Sequence, residues 1–147
     1  MYKFMHGILP TKFRLFQIKQ STSPLCDWCN IVEDNLHMFG NCQKVQALFG
    51  YFLDVLKKVC NIENVNIQNL LYLDTQNIGR QKRNTQVVLT STFISTIWYN
   101  RHTESHIEPS LFRIKLLNHH NMLSNILKEK LNFFFTEQYC SLTKNLS

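Results

Sequence analysis

Between residues 26 and 42 the chain sets Cys26, Cys29, His37 and Cys42 in the spacing C-x2-C-x7-H-x4-C. Four metal-ligating side chains within seventeen residues are the number and kind that one tetrahedral zinc ion takes. The Cys26-Asp27-Trp28-Cys29 pair closes a tight turn with both sulfurs toward one ion, and His37 and Cys42 return from a short loop to complete the set. All four positions are then filled, so Zn2+ is the expected cofactor in a structural role, with no place for an activated water. A histidine ligand and a compact set of four favour zinc over an iron–sulfur cluster. Structural zinc supplies about 10–16 kcal/mol to small modules, enough to fold a front segment whose own apolar core is small.

The remaining cysteines support a metal site over a disulfide framework. Five is an odd count, and three of the five fall inside the array. Clustered thiols of this kind point to a reducing compartment. Cys60 and Cys140 stand alone and are expected to be apolar core residues. The opening residues Met1–Lys12 mix charge into the sequence and lack the apolar core of a signal peptide. No apolar run approaches the roughly 20 residues that span a bilayer. The expectation is a soluble protein inside the cell, in the nucleus, with no membrane partner.

The rest of the chain is expected to be helical. Gly (four) and Pro (three) are scarce while Phe (eleven) is abundant, which disfavours a turn-rich β-sandwich. Pro10 starts a first helix, with Leu9, Phe13, Phe16 and Ile18 as its apolar face, ending near Gln20 before Ser21-Thr22-Ser23-Pro24. A second helix runs from just after Cys42 to about Val59, where Val45, Leu48, Phe49, Phe52, Leu53, Leu56 and Val59 recur at threes and fours. Cys42 at its start would receive backbone amides that favour the thiolate. In Glu33-Asp34, Asp34 is expected to cap the turn that presents His37, the alternative being a carboxylate that orients the His37 imidazole. Asn61–Asn69 is polar, and Leu70–Leu73 suggests one helical turn. The stretch Asp74–Asn84 predicts a loop carrying Arg80, Lys82 and Arg83. A third helix follows over about Thr85–Glu104, burying Val87, Ile94, Ile97 and Trp98, with Arg101 capping the tryptophan. Beyond Pro109 a fourth covers about Ser110–Tyr139, with a stripe of Leu116, His120, Leu123, Leu127, Leu131 and Phe134.

These elements make an all-α fold: a small helical domain with an N-terminal CCHC zinc-stapled loop followed by three longer helices. At 147 residues it fits one domain. Residues 1–60 form the zinc-binding module, and residues 61–147 a helical extension packed in the same domain.

A formal net charge of +6 and a pI of about 9.2 suit a polyanionic partner. Residues 1–25 hold Lys3, Lys12, Arg14 and Lys19 and no acidic side chain. The candidate nucleic-acid contacts are Lys12, Arg14 and Lys19 near the zinc loop, Arg80, Lys82 and Arg83 further on, and Trp28, whose ring either stacks on an unpaired base or packs against the following helix. His102 and His106 are an i,i+4 pair with no third ligand, and His119 and His120 diverge by about 100° on a helix, so neither pair predicts a second metal.

One further pattern spans about residues 8–60. Leu9-Pro10-Thr11, Arg14-Leu15, Ser23-Pro24-Leu25-Cys26-Asp27-Trp28-Cys29 and Glu33-Asp34-x-x-His37-x-Phe39-x-x-Cys42 together resemble the zinc-binding domain of non-LTR retrotransposon reverse transcriptases. Ile97-Trp98-x-x-Arg101 is similar to a helix that often follows that domain. The resemblance implies a helical module that helps such an element's enzyme engage template RNA or target DNA, with Cys26, Cys29, His37 and Cys42 as metal ligands. It also implies the polymerase portion of a longer polyprotein as a partner. The catalytic parts are missing. A polymerase palm needs an adjacent Asp pair for two metal ions, and no Asp-Asp occurs in the chain. The Pro-Asp start of a restriction-like nuclease motif, a phosphate-cradling glycine loop and a Walker lysine are also absent. The expected function is therefore non-catalytic zinc-dependent nucleic-acid binding. The alternative is a host-adopted structural or protein-interaction module in which zinc only maintains shape.

Overall fold

The computed structural model describes residues 9–61, 68 and 80–118. Among these residues the fold is helical and without a β-strand, as the glycine and proline scarcity implies. The α-helices delimited among the described residues are, in order, α1, Lys12–Gln17; α2, Gln46–Cys60; α3, Arg80–Asn100; and α4, Pro109–Asn118. Between α1 and α2 lie the cysteine turn, a π-helical turn over His37–Asn41 and a 3-10 turn over Gln43–Val45.

Helix α1 begins one residue past Thr11, whose hydroxyl accepts the Arg14 backbone N–H at 3.2 Å. Its end is fixed by Lys19, which sits in the left-handed region at φ 57°. There the Lys19 N–H reaches the Phe16 carbonyl at 3.0 Å and the Gln20 N–H reaches that of Leu15 at 2.8 Å. That pair of bonds is the Schellman pattern, normally closed by glycine. The expected stop near Gln20 is therefore correct. The expected apolar face is not. Leu9 is buried, but Phe13, Phe16 and Ile18 are 38, 46 and 47% exposed, because α1 docks through its N-terminal end and not along its side. The Lys12 N–H meets the Glu33 carboxylate at 3.0 Å, and the Phe13 N–H meets the Glu33 carbonyl at 3.2 Å.

Helix α2 carries the centre of the core. Leu48, Phe52, Val55, Leu56, Val59 and Cys60 are buried, and Asn61 ends the helix at φ 54°. Phe49 and Leu53, from the same predicted stripe, are half-buried. The Phe52 ring stacks on Phe93 of α3 at 4.1 Å and 7° and meets Phe112 of α4 edge-on at 5.8 Å and 79°. One phenylalanine thus joins three helices. Leu89, Phe93, Ile94 and Ile97 bury the inner face of α3, and Phe112 and Leu116 that of α4. Val87 and Trp98 are half-buried, less than the sequence suggests.

The start of α3 also departs from expectation. Arg80 and the residues after it are helical, so the predicted loop ends at least five residues earlier than its composition indicates. No acidic side chain lies in the first turn to signal a helix start. Ser91, Thr92, Ser95 and Thr96 satisfy their hydroxyls on carbonyls three or four residues back, which keeps a polar stripe compatible with burial. The Leu70–Leu73 turn, Cys140, His119 and the later half of the predicted fourth helix lie outside the described residues. The buried side chains, from Leu9 to Leu116, make one continuous apolar cluster that includes Cys26 and Cys42.

Candidate metal centre

The cysteine turn is a narrow antiparallel loop. Leu25 and Val32 form an isolated bridge, and the Cys26 N–H donates to the Ile31 carbonyl at 2.8 Å. The Glu33 N–H closes on the Pro24 carbonyl at 2.9 Å. Asn30 supplies the left-handed residue the reversal needs, at φ 55°, while its N–H returns to the Cys26 carbonyl at 2.9 Å. This backbone holds the Cys26 and Cys29 sulfurs on one side.

The other two candidate ligands come from the π-helical turn. The Cys42 N–H bonds the His37 carbonyl five residues back at 2.8 Å, which sets both side chains on the same side of the chain. Met38 and Phe39, both buried, anchor the turn in the core. Asp34 caps its start: the His37 N–H donates to Asp34 Oδ1 at 2.7 Å. The carboxylate therefore supports the backbone of His37, as its position in the sequence suggests.

The four ligand atoms all lie within 4.8 Å of one another. Cys26 Sγ is 3.8 Å and Cys29 Sγ 3.7 Å from Cys42 Sγ. Four sulfurs at 2.3 Å from a central zinc would be spaced about 3.8 Å apart along the edges of the tetrahedron. His37 is buried, and its Nε2 has no hydrogen-bond partner. A buried ring nitrogen left unpaired is costly, and a cation among the sulfurs would remove that cost. Burial pushes the Cys42 thiol up to about 12, against the Lys44 backbone N–H, which favours the thiolate; the nearby Cys26 and Cys29 sulfurs raise it further. The Gln43 N–H donates to Cys29 Sγ at 3.4 Å, so the start of the 3-10 turn directs amides at the sulfurs, but at Cys42 burial outweighs them and the expected favouring of its thiolate is not met. The donor set fits a metal ion. It is the sole such cluster among the described residues, and His102 and His106 are exposed and outside it.

A lysine that no motif marks out ties this centre to the helices. Lys44, two residues past the last cysteine, is buried. Its ammonium donates to the Arg101 carbonyl at 2.8 Å and to the Thr103 carbonyl, capping the C-terminal end of α3. Its own carbonyl accepts the Ile107 N–H at 3.0 Å. Burial lowers the Lys44 pKa from the ordinary lysine value, opposed by Cys42, Cys26, Asp27 and Glu33. A cavity of about 240 Å3 lies between the metal loop and the end of α3, with Trp28, Glu33, Lys44 and Arg101 in its walls.

The expected nucleic-acid contacts fall into three groups. Lys12 is half-buried, with its ammonium paired to Asp27. Trp28 is 38% exposed, its ring 5.1 Å from that of His106 and 5.2 Å from the Lys44 ammonium. Arg14 and Lys19 are exposed on α1. Arg80, Lys82 and Arg83 open α3, and Arg83 is exposed. The structure therefore gathers Lys12 and Trp28 beside the metal loop and separates the cluster of residues 80–83 onto a helix. Arg101 stacks on Trp98 at 3.6 Å and donates to its carbonyl at 2.6 Å, a helix-surface clamp of the kind their spacing predicts.

Comparison with known proteins yields no match among family models, curated sequences or solved structures. No helix among the described residues is long and apolar enough to cross a membrane.

Proposed function

We propose that this chain is a non-catalytic, zinc-stapled nucleic-acid-binding module of the kind that accompanies non-LTR retrotransposon reverse transcriptases. It would act in the nucleus on template RNA or target DNA, with the polymerase portion of a longer polyprotein as its partner. The convergence of Cys26, Cys29, His37 and Cys42 carries this reading, since it makes the CCHC spacing a three-dimensional donor set. Three sulfurs with one imidazole suit zinc best among the common divalent ions. The zinc would fix the turn that carries Trp28 and the segment on which α1 docks, while Arg14, Lys19 and Arg83 offer exposed positive charge.

The test is titration of zinc-loaded protein into labelled RNA and DNA over a range of salt. Binding that weakens steeply with salt, by a log–log slope of about −0.7 per phosphate contact on single strands, supports the reading. Two observations favour the host-adopted interaction module as the second reading. Lys12 is neutralised by Asp27, and Trp28 is already partly covered by His106 and Lys44. Absence of binding at low salt, with zinc bound stoichiometrically, would establish that alternative.

A further inference from the structure

Helix α1 turns its aromatic rings away from the core. Phe13 and Phe16 are three residues apart and so share one side of the helix with Gln17. Against that side runs a groove of about 250 Å3 between α1 and residues 34–36, lined by Phe13, Arg14, Gln17, Asp34, Asn35 and Leu36. We propose that this groove and the aromatic side of α1 form a stacking platform for the unpaired bases of a single-stranded nucleic acid. The inference rests on the nucleic-acid reading above and narrows it to single strands and to this surface.

The chemistry of the groove favours that occupant. Exposed rings beside exposed cations are what sequence-tolerant single-strand binding uses: rings for the base faces and guanidinium or ammonium groups for the phosphates. Arg14 lines the groove, Lys19 follows the end of the same helix, and no acidic residue occurs in the first 25 positions. Among the described residues the Arg14 guanidinium makes a long contact, 3.4 Å from Nη1 to Gln17 Oε1, which both groups can exchange for a ligand. The Gln17 and Asn35 amides offer donors and acceptors to a base edge. The Asp34 carboxylate, whose Oδ1 accepts the His37 N–H, shares this lining and would repel a phosphate, so the backbone of a bound strand would follow Arg14. A duplex hides its base faces and leaves the two rings nothing to stack on. The cavity beside the metal loop is a poorer host for a polyanion. Its walls carry Asp27, Glu33 and Glu104 against Lys44 and Arg101, and Lys44 is committed to backbone carbonyls.

The experiment uses the zinc-loaded full chain, a labelled oligonucleotide and its duplex, read by fluorescence anisotropy at low salt. The double variant Phe13→Ala/Phe16→Ala should weaken single-strand binding about tenfold or more. Its metal content, circular dichroism and duplex binding should stay at the wild-type level, since neither ring is buried. Phe13→Trp/Phe16→Trp should hold or raise single-strand affinity. Unchanged single-strand affinity in the alanine variant overturns the inference while leaving the nucleic-acid reading in place. Equal losses on single strand and duplex also overturn it. A wild-type dimer that Phe16→Ala dissociates would mark the surface as an interface between copies instead. Should the wild type bind neither oligonucleotide, the broader reading falls and takes this one with it.

Discussion

At the residue scale, Lys44 decides whether the metal loop is an independent hook or part of the helical body. Lys44 holds the Arg101 and Thr103 carbonyls with one buried ammonium, a role that its position two residues past Cys42 does not reveal. Lys44→Met keeps the length of the stem but leaves two carbonyls without their donor. The expected cost is about 1–3 kcal/mol in chemical denaturation, with metal content unchanged. Loss of metal along with stability would mean that the lysine shapes the donor set directly. The cysteines allow a cleaner contrast. Cys29→Ser should strip the metal and loosen the segment from the cysteine turn to Cys42, whereas Cys60→Ser, buried on α2 outside the donor set, should leave bound zinc unaltered. Metal analysis of the two purified variants decides it, and equal zinc in Cys29→Ser and wild type would remove that cysteine from the site.

At the element scale, legibility followed the periodicity of each helix and its surroundings. Helix α2 was readable almost to the residue because its apolar positions repeat over four turns and all face one neighbouring layer. Helix α1 has the same kind of pattern over six residues, and there it misled. A short helix can be fixed by its ends, here Thr11 and Glu33 on one side and Lys19 on the other, so its apolar stripe need not be what docks it. The beginning of α3 was hidden by a polar sequence with no acidic start signal, and its Ser/Thr stripe hides burial because the Ser91, Thr92, Ser95 and Thr96 hydroxyls pair locally. The four ligands were legible since their chemistry is local, whereas Lys44 was not, since its partners lie 57 and 59 residues away. Packing of α2 on α4 also has a pH signature. Burial pushes the Tyr51 phenol, edge-on to Phe112 at 6.2 Å, from the ordinary 10.0 up to about 12. The unfolded chain loses that proton first, so between these values it binds fewer protons than the folded one, and stability falls as pH rises above 10. Tyr51→Phe should flatten that decline in alkaline denaturation curves; an identical slope would show that other groups govern it.

At the scale of the whole molecule, the apolar cluster and the metal centre supply stability by different means. The Phe52–Phe93–Phe112 contact and the buried faces of α2, α3 and α4 need no metal to exclude water. Among the described residues before α2, three of the buried side chains, Cys26, His37 and Cys42, are candidate ligands themselves. Metal removal should therefore open the front of the chain and spare the helices. The two tryptophans report on the two parts separately. Trp28 lies in the ligand turn, against His106 and Lys44, while Trp98 is held on α3 by Arg101. Chelation of Trp98→Phe, which retains Trp28, should shift its emission to the red as the turn loosens. The same treatment of Trp28→Phe, which retains Trp98, should leave emission near its starting value, with most of the far-ultraviolet helical signal preserved in both. Readdition of zinc should restore the Trp28 spectrum, because the donor set is built from local chain and the cost of ordering it is met by the metal–ligand bonds. A concerted loss of both signals would show that Lys44 and the continuous apolar cluster couple the two parts into one cooperative unit, so that the metal holds the helices as well as the loop.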